Sequence, residues 1–288
     1  MQRAISKVLA GREEVFKGPD WSLALRYRVK RLVGLPSKDP GLHWLLLATL
    51  PNSGSTAFAK SIESSAAATL VQNRGEGQWL LPDMSDRKRW DPDHGIDYHR
   101  MVHVWMRRVL TGPRGPRVVV DKSPPNLMRL DALTQALSAH GRVSVITFSR
   151  DPVAICASWS KRYTPERLLG VPATEVPDDR EYHRRLGETC GQRMGFLRKA
   201  SERAMMHVSY EALTSDPRAV FAKLVVAFPD LSDVDPGVKV KVKDYPAQPL
   251  RNMNAEQRGM LSHERQDAIL QGLEPHREAI EALGYRLE

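Results

Sequence analysis

The sequence predicts an α/β domain in which a central parallel sheet lies between two layers of helices. Three observations lead there. From residue 43 onward, short and nearly continuous apolar runs alternate with longer segments of helical period. That is the pattern of parallel strands covered on both faces by crossover helices. A length of 288 residues suits one large α/β domain or two small ones and can bury a sizeable core. With 41% hydrophobic and 27% charged residues, the composition excludes wholesale disorder.

Strands are predicted at 43–49, 117–120, 142–148 and 205–209. Helices are predicted at 55–70, 125–139, 153–162, 180–200 and 218–228, with two more near 255–271 and 275–283. Residues 1–42 read as a basic helical segment packed on a domain at 43–288. Its first 40 residues hold nine Lys or Arg against four Asp or Glu. Leu23, Leu25, Val29 and Leu32 interleave there with Arg26, Arg28, Lys30 and Arg31, giving one sticky face and one positive face. A packing helix with a solvated side is the plainer reading, and peripheral membrane contact is the alternative. Residues 74–116, rich in Gly, Pro, Trp and His, have weak periodicity and read as an insertion over the site, on the acceptor side. The Pro-punctuated stretch 165–177 resembles a mobile loop.

The apolar run 44–50 is far short of the ~20 residues a spanning helix requires, so no transmembrane segment is expected. The amino terminus has acids and no apolar core, unlike a signal peptide. Two cysteines, Cys156 and Cys190, form neither a disulfide framework nor a four-thiolate zinc site. A cytoplasmic protein is the expectation. A net charge of +9 fits nucleic acid or an anionic cofactor equally. Six Phe and seven Tyr are scattered without a basic–aromatic cluster for stacking bases, so nucleic acid is not expected as a partner. No metal is expected either. His99 and His103 are spaced i, i+4, but there is no HExxH and no cysteine nearby.

Ligands of such sheets bind beyond the carboxyl ends of the strands, so the turns after the strands carry the chemistry. The first strand runs into Leu50-Pro51-Asn52-Ser53-Gly54-Ser55-Thr56 and then a helix. A Gly-centred turn at a helix amino terminus offers free N–H groups and the positive dipole end to a phosphate or sulfate. An ordinary Ser-capped helix start would look the same. An NTP-hydrolysing loop would carry lysine before the Ser/Thr, and this one does not. The strand at 142–148 ends at Ser149-Arg150-Asp151-Pro152, where a guanidinium can fork onto a phosphate; Ser158 follows eight residues after the Arg. Asp121-Lys122-Ser123-Pro124 puts a lysine at the same sheet edge.

Together these segments resemble the sulfotransferases: P-x-S-G-S-T after the first strand, D-K-S-P-x-N-L, R-D-P with its serine, and Tyr210-Glu211-Ala212-Leu213 followed by Asp216-Pro217. The resemblance runs over roughly 44–285 and implies a P-loop-type three-layer α/β/α fold. It also implies 3′-phosphoadenosine 5′-phosphosulfate (PAPS) as sulfuryl donor. Ser53, Gly54, Ser55 and Thr56 would then cradle the 5′-phosphosulfate, and Arg150 and Ser158 would hold the 3′-phosphate. Tyr210 and Arg251 would be further donor contacts, Tyr210 being equally readable as a core aromatic. The family usually has Lys or Arg where this chain has Asn52, so the missing charge would come from elsewhere. Lys122, similar to a lysine of tyrosylprotein sulfotransferases, is the candidate. Glu76, 24 residues after Asn52, matches those enzymes' glutamate and would be the general base. Glu63 and His99 with His103 are the competitors. The expected activity is sulfuryl transfer to a hydroxyl or amine of a small molecule, glycan or lipid. The alternatives are a degenerate PAPS binder with little activity and a P-loop nucleotide kinase.

Overall fold

The structure, a computed structural model, describes residues 42–72, 74–110, 117–166, 173–175, 177–241 and 246–288. Apart from Leu42, the basic amino-terminal segment lies outside the described residues, and so do 167–172 and 176 of the Pro-punctuated stretch.

Five parallel strands form one sheet in the order β2-β3-β1-β4-β5. The strands are β1 (His43–Thr49), β2 (Ala68–Leu70), β3 (Val118–Asp121), β4 (Arg142–Ser149) and β5 (Met206–Ser209). β1 is central, pairing with β3 on one side and β4 on the other. Every residue of its HWLLLAT run is buried, as a strand covered on both faces requires. On one face Leu45 and Leu47 meet Phe58 and Ile62 of α1 (Ser55–Ile62), with Phe221 and Leu224 behind them. On the other, Trp44 and Leu46 meet Met101 and Trp105, which belong to a helix inside 74–116. This produces the three-layer α/β/α arrangement the alternation predicts.

Three elements differ from the sequence reading. The helix expected over 55–70 stops at Ile62, and Ala68–Leu70 crosses to β3 as the edge strand β2. The segment 74–116 contains α3 (Tyr98–Leu110), after the short α2 (Pro82–Ser85). The helix expected over 255–271 is two helices, Asn254–Arg258 and His263–Leu273, the second capped by Ser262. The remaining long helices are α4 (Leu130–Ser138), α5 (Pro152–Arg162) and α6 (Asp179–Ser201). α7 (Tyr210–Ser215) and α8 (Pro217–Ala227) follow β5 directly. No described helix is long and apolar enough to cross a membrane.

The chain builds β2 and β3 on one side of β1 and β4 and β5 on the other, so the direction of winding reverses between β1 and β4. At such a reversal the two carboxyl-end turns part and leave a crevice. Here those turns are 50–54 and 149–151.

Candidate active site

The turn after β1 is held in an unusual backbone shape. Asn52 has φ 61° and Gly54 φ 94°, both left-handed. Asparagine tolerates that region better than most residues, and glycine adopts it freely. Gly54 is the N-cap of α1 and has no side chain to cap it, while Ser53 Oγ accepts from Ser55 N, the first amide of the helix, at 3.4 Å. The same Oγ lies 2.6 Å from Thr49 Oγ1 and donates to Ser55 Oγ at 3.1 Å. The turn thus stands at the positive end of the α1 dipole.

Arg150 closes the crevice from β4 and is only 4% exposed. Its Nη1 donates to the Asn52 carbonyl at 3.0 Å, and its Nε donates to Asn254 Oδ1 at 2.8 Å. Its guanidinium centre is 4.3 Å from the Tyr210 ring centroid. Its Nη2 is buried without a hydrogen-bond partner. Burial pulls this guanidinium below its ordinary value, while Tyr210, Glu211 and Asp151 push it back up. A buried cation with one donor spare is a site for an anion. Tyr210 packs against Gly54, its OH donating to the Arg251 carbonyl at 2.7 Å and accepting from Met253 N at 3.2 Å. Ser158 Oγ donates to Gln257 Oε1 at 2.8 Å.

Lys122 and Glu76 meet from neighbouring segments, Lys122 Nζ donating to Glu76 Oε1 at 2.5 Å. The other Glu76 oxygen accepts from Gln78 Nε2 at 2.9 Å and Trp79 Nε1 at 2.7 Å. Burial pushes this carboxyl up, but the Lys122 ammonium and the three hydrogen bonds more than offset it, holding it below the usual carboxylate range. The scaffold of the pair is Asp121. Its carboxylate accepts from Gly77 N at 2.8 Å, Asn126 Nδ2 at 2.8 Å, and the Ser123 hydroxyl and amide at 2.9 and 3.2 Å. Each Asp121 oxygen is thus taken by its own turn and by Gly77, so Asp121, Ser123 and Asn126 act together to hold Lys122 in place. It also speaks against Asp121 as the magnesium ligand that a nucleotide kinase would need.

Burial raises the Asp121 pKa to about 6, against the pull of its four hydrogen bonds. The folded protein therefore binds this proton more tightly than the unfolded chain does. Unfolding free energy should fall as pH rises from about 4 to about 6 and level off above that, by the linkage relation. Asp121→Asn should flatten that segment of the stability curve in chemical denaturation run across pH; an unchanged slope would sink the assignment.

The sequence-predicted site residues fall into two groups. Asn52, Ser53, Gly54, Ser55, Thr56, Arg150 and Tyr210 share the crevice. Ser158 lies nearly two turns into α5, and Lys122 with Glu76 stand at the β3 edge beside β1. Arg251 joins through its carbonyl, while its exposed guanidinium pairs with Glu256 at 3.1 Å. Of the competitors, Glu63 ends α1 beside Lys60, and His99 and His103 are exposed on α3. Four residues escaped the sequence reading. Asn254 and Gln257 complete Arg150 and Ser158. Glu211 accepts from Asp151 N and Asn254 Nδ2, and Tyr285 OH donates to its other oxygen at 2.9 Å. The signal was partly visible, since Glu211 lies in a segment that carried the resemblance and Asn254 follows Arg251 in the same loop.

Comparison with known proteins gives the family. Residues 45–232 match the model of a family described as the sulfotransferase family. Among solved structures the chain is similar to the sulfotransferase STF9 from Mycobacterium avium, with a TM-score of 0.50 and 13% identity over 88% of this chain and 72% of that one. It is also similar to the sulfotransferase domain of the Synechococcus PCC 7002 olefin synthase, with a TM-score of 0.44 and 16% identity over 83% of this chain and 95% of that domain. A third similarity is to the sulfotransferase domain of the curacin biosynthetic pathway, with a TM-score of 0.39 and 18% identity over 87% and 94%. The search of curated proteins gives no match.

Proposed function

The chain belongs to the sulfotransferase family, and from that premise we propose that it transfers a sulfuryl group from PAPS to an acceptor hydroxyl, or less readily an amine, of a small molecule, glycan or lipid. The observation that carries the donor is Arg150, a buried guanidinium with Nη2 unpartnered, tied to the loop at the amino-terminal end of α1. Two anion sites joined by one hydrogen bond suit a nucleotide with phosphate at both ends.

PAPS, when bound, supplies the activated sulfuryl group and a good leaving group. The chain's own residues do the rest. Ser53, Gly54, Ser55 and Thr56 hold the 5′ end; Arg150 and Ser158 hold the 3′-phosphate, with Tyr210 and Arg251 shaping the wall. Lys122, Asn52 and the loop amides meet charge that spreads over the moving oxygens, as in loose phosphoryl transfer. Glu76, ionised at neutral pH, takes the acceptor proton. No metal enters this scheme.

Arg150→Ala tests the donor assignment. Wild type should bind adenosine 3′,5′-bisphosphate well ahead of adenosine 5′-monophosphate. The variant should lose about ten- to a hundredfold of that difference, the worth of a charge-assisted contact. Calorimetric titration with both nucleotides reads it, and a variant that still discriminates would exclude Arg150 as the 3′-phosphate ligand. Transfer itself is tested with labelled PAPS against phenolic, glycan and lipid acceptors. A second reading, a PAPS binder of little activity, is favoured by Asn52 in place of a cation and by Glu76 holding Lys122. Tight nucleotide binding with no transfer to any acceptor would establish it.

A further inference from the structure

We infer that the acceptor is itself an anion and that Arg193 is the residue that recognises its charge. The inference rests on the transferase reading above and adds the chemical class of the acceptor. Arg193 projects from α6, its guanidinium centre 3.8 Å from the Trp90 ring centroid and 5.0 Å from that of Trp159. Two indoles thus hold the flat cation by its faces. Face contacts leave the edge free, and the edge is where all the N–H donors lie. No carboxylate, carbonyl or hydroxyl among the described residues accepts from it.

The surroundings heighten the imbalance. Burial pulls the Arg193 guanidinium down to about 10, and Arg89 adds like-charge repulsion. The other groups that weigh on it are Cys190, Tyr163 and Cys156, none of them a carboxylate. A half-buried cation without a counter-charge gains from an anionic ligand what a neutral one cannot supply. Nearby Arg129 presents a contrast. It is 6% exposed, it anchors the Arg89 and Asp91 carbonyls through Nη2 at 2.7 and 3.2 Å, and Asp83, Asp86 and Asp91 lie about it. Its Nε and Nη1 are buried without a hydrogen-bond partner, but three aspartates answer its charge, whereas no carboxylate is among the groups that weigh on Arg193.

The position is right for an acceptor. Trp159 Nε1 donates to the Pro51 carbonyl at 3.0 Å, so the indole that backs Arg193 touches the loop at the start of the proposed donor site. On the other side, Trp79 bonds Glu76 through its indole N–H and lies 6.0 Å from the Arg89 guanidinium centre. The wall of indoles and guanidiniums therefore runs from the proposed base to the donor loop. A ring or sugar lying on Trp79 and Trp90 with a carboxylate, phosphate or sulfate on the Arg193 edge would use all of it.

Matched acceptor pairs test this: 4-hydroxyphenylpropionate against its amide, 4-nitrophenyl β-glucuronide against the β-glucoside, and phosphatidylglycerol against diacylglycerol in mixed micelles. Transfer from labelled PAPS gives kcat/KM, and tryptophan fluorescence without PAPS gives binding, since Trp90 and Trp159 flank Arg193. In at least one pair the anionic member should lead by about ten- to a hundredfold. Arg193→Met should bring that pair near parity by lowering the anionic member alone, and Arg193→Lys should keep part of the preference. Affinity for adenosine 3′,5′-bisphosphate should stay unchanged in both variants. Parity in every pair of the wild type, or an equal loss for both members in Arg193→Met, overturns the inference. If no pair accepts sulfate, the transferase reading fails, and fluorescence still decides: an anion preference abolished by Arg193→Met upholds the Arg193 site, and no preference refutes it.

Discussion

Glu76→Gln should lower kcat by about 10²–10⁴-fold, the usual contribution of a positioned base, while leaving affinity for adenosine 3′,5′-bisphosphate within about twofold. The expectation comes from the pair that Glu76 forms with Lys122. Burial alone would raise the Glu76 carboxyl; the ammonium and the Gln78 and Trp79 donors hold it low and ionised. A carboxylate so well satisfied is a weak base. It becomes a better one when Lys122 is drawn toward developing sulfuryl charge, because the neighbour that depresses it most is then withdrawn. The two residues would act as a unit, so Glu76→Gln with Lys122→Met should cost far less than the sum of the single losses. The pH profile gives a second reading. In Lys122→Met the acid limb of kcat/KM should move to higher pH, since burial then acts on Glu76 without the ammonium to oppose it. Because Lys122 is 2% exposed, thermal midpoints must be compared alongside, a buried charge left alone being destabilising. Full kcat in Glu76→Gln, or an unmoved acid limb in Lys122→Met, would remove the base from the scheme.

How much of this was legible without coordinates depends on how local each signal is. β1 was read to the residue because HWLLLAT has no polar interruption and a Pro–Gly turn follows. The edge strand β2 was missed because Ala68-Thr69-Leu70 is three residues long and continues an Ala-rich run that also suits a helix. α3 was missed among Trp and His, although Met101, Val102, Trp105 and Val109 lie on one helical face and are buried. The site followed the same division. Loop and Arg150 could be read because each is set by its own strand end. The partners that finish them come from 43 to 104 residues away: Asn254 on Arg150, Gln257 on Ser158, Glu211 on Asn254. Nothing in residue spacing announces such a meeting. Arg193 belongs to the same class: on a 23-residue helix full of arginines, only the two indoles distinguish it.

Gly54→Ala should damage both the stability of the domain and its affinity for the donor nucleotide. At φ 94° an alanine is strained, which costs about 1–3 kcal/mol. Its Cβ would also stand 2.5 and 2.7 Å from Cδ2 and Cε2 of Tyr210. That ring has little freedom to retreat. Its hydroxyl is tied to Arg251 O and Met253 N, and Arg150 lies across its face. Overpacking of this kind adds about 1–3 kcal/mol. The yielding partner must then be the loop, and moving the loop shifts both the α1 amides and the Asn52 carbonyl that Arg150 grips. Thermal unfolding should therefore show a midpoint several degrees lower, and calorimetry should show adenosine 3′,5′-bisphosphate affinity reduced at least about tenfold, for loss of charge-assisted contacts. Tyr210→Ala in the same chain separates the two causes. It relieves the collision and leaves the backbone strain, so the midpoint should recover in part relative to Tyr210→Ala alone, and never fully. Were Gly54→Ala to unfold and bind like wild type, the tight seat of Tyr210 against the loop would not be what shapes the donor site, and Arg150 would have to hold the loop unaided.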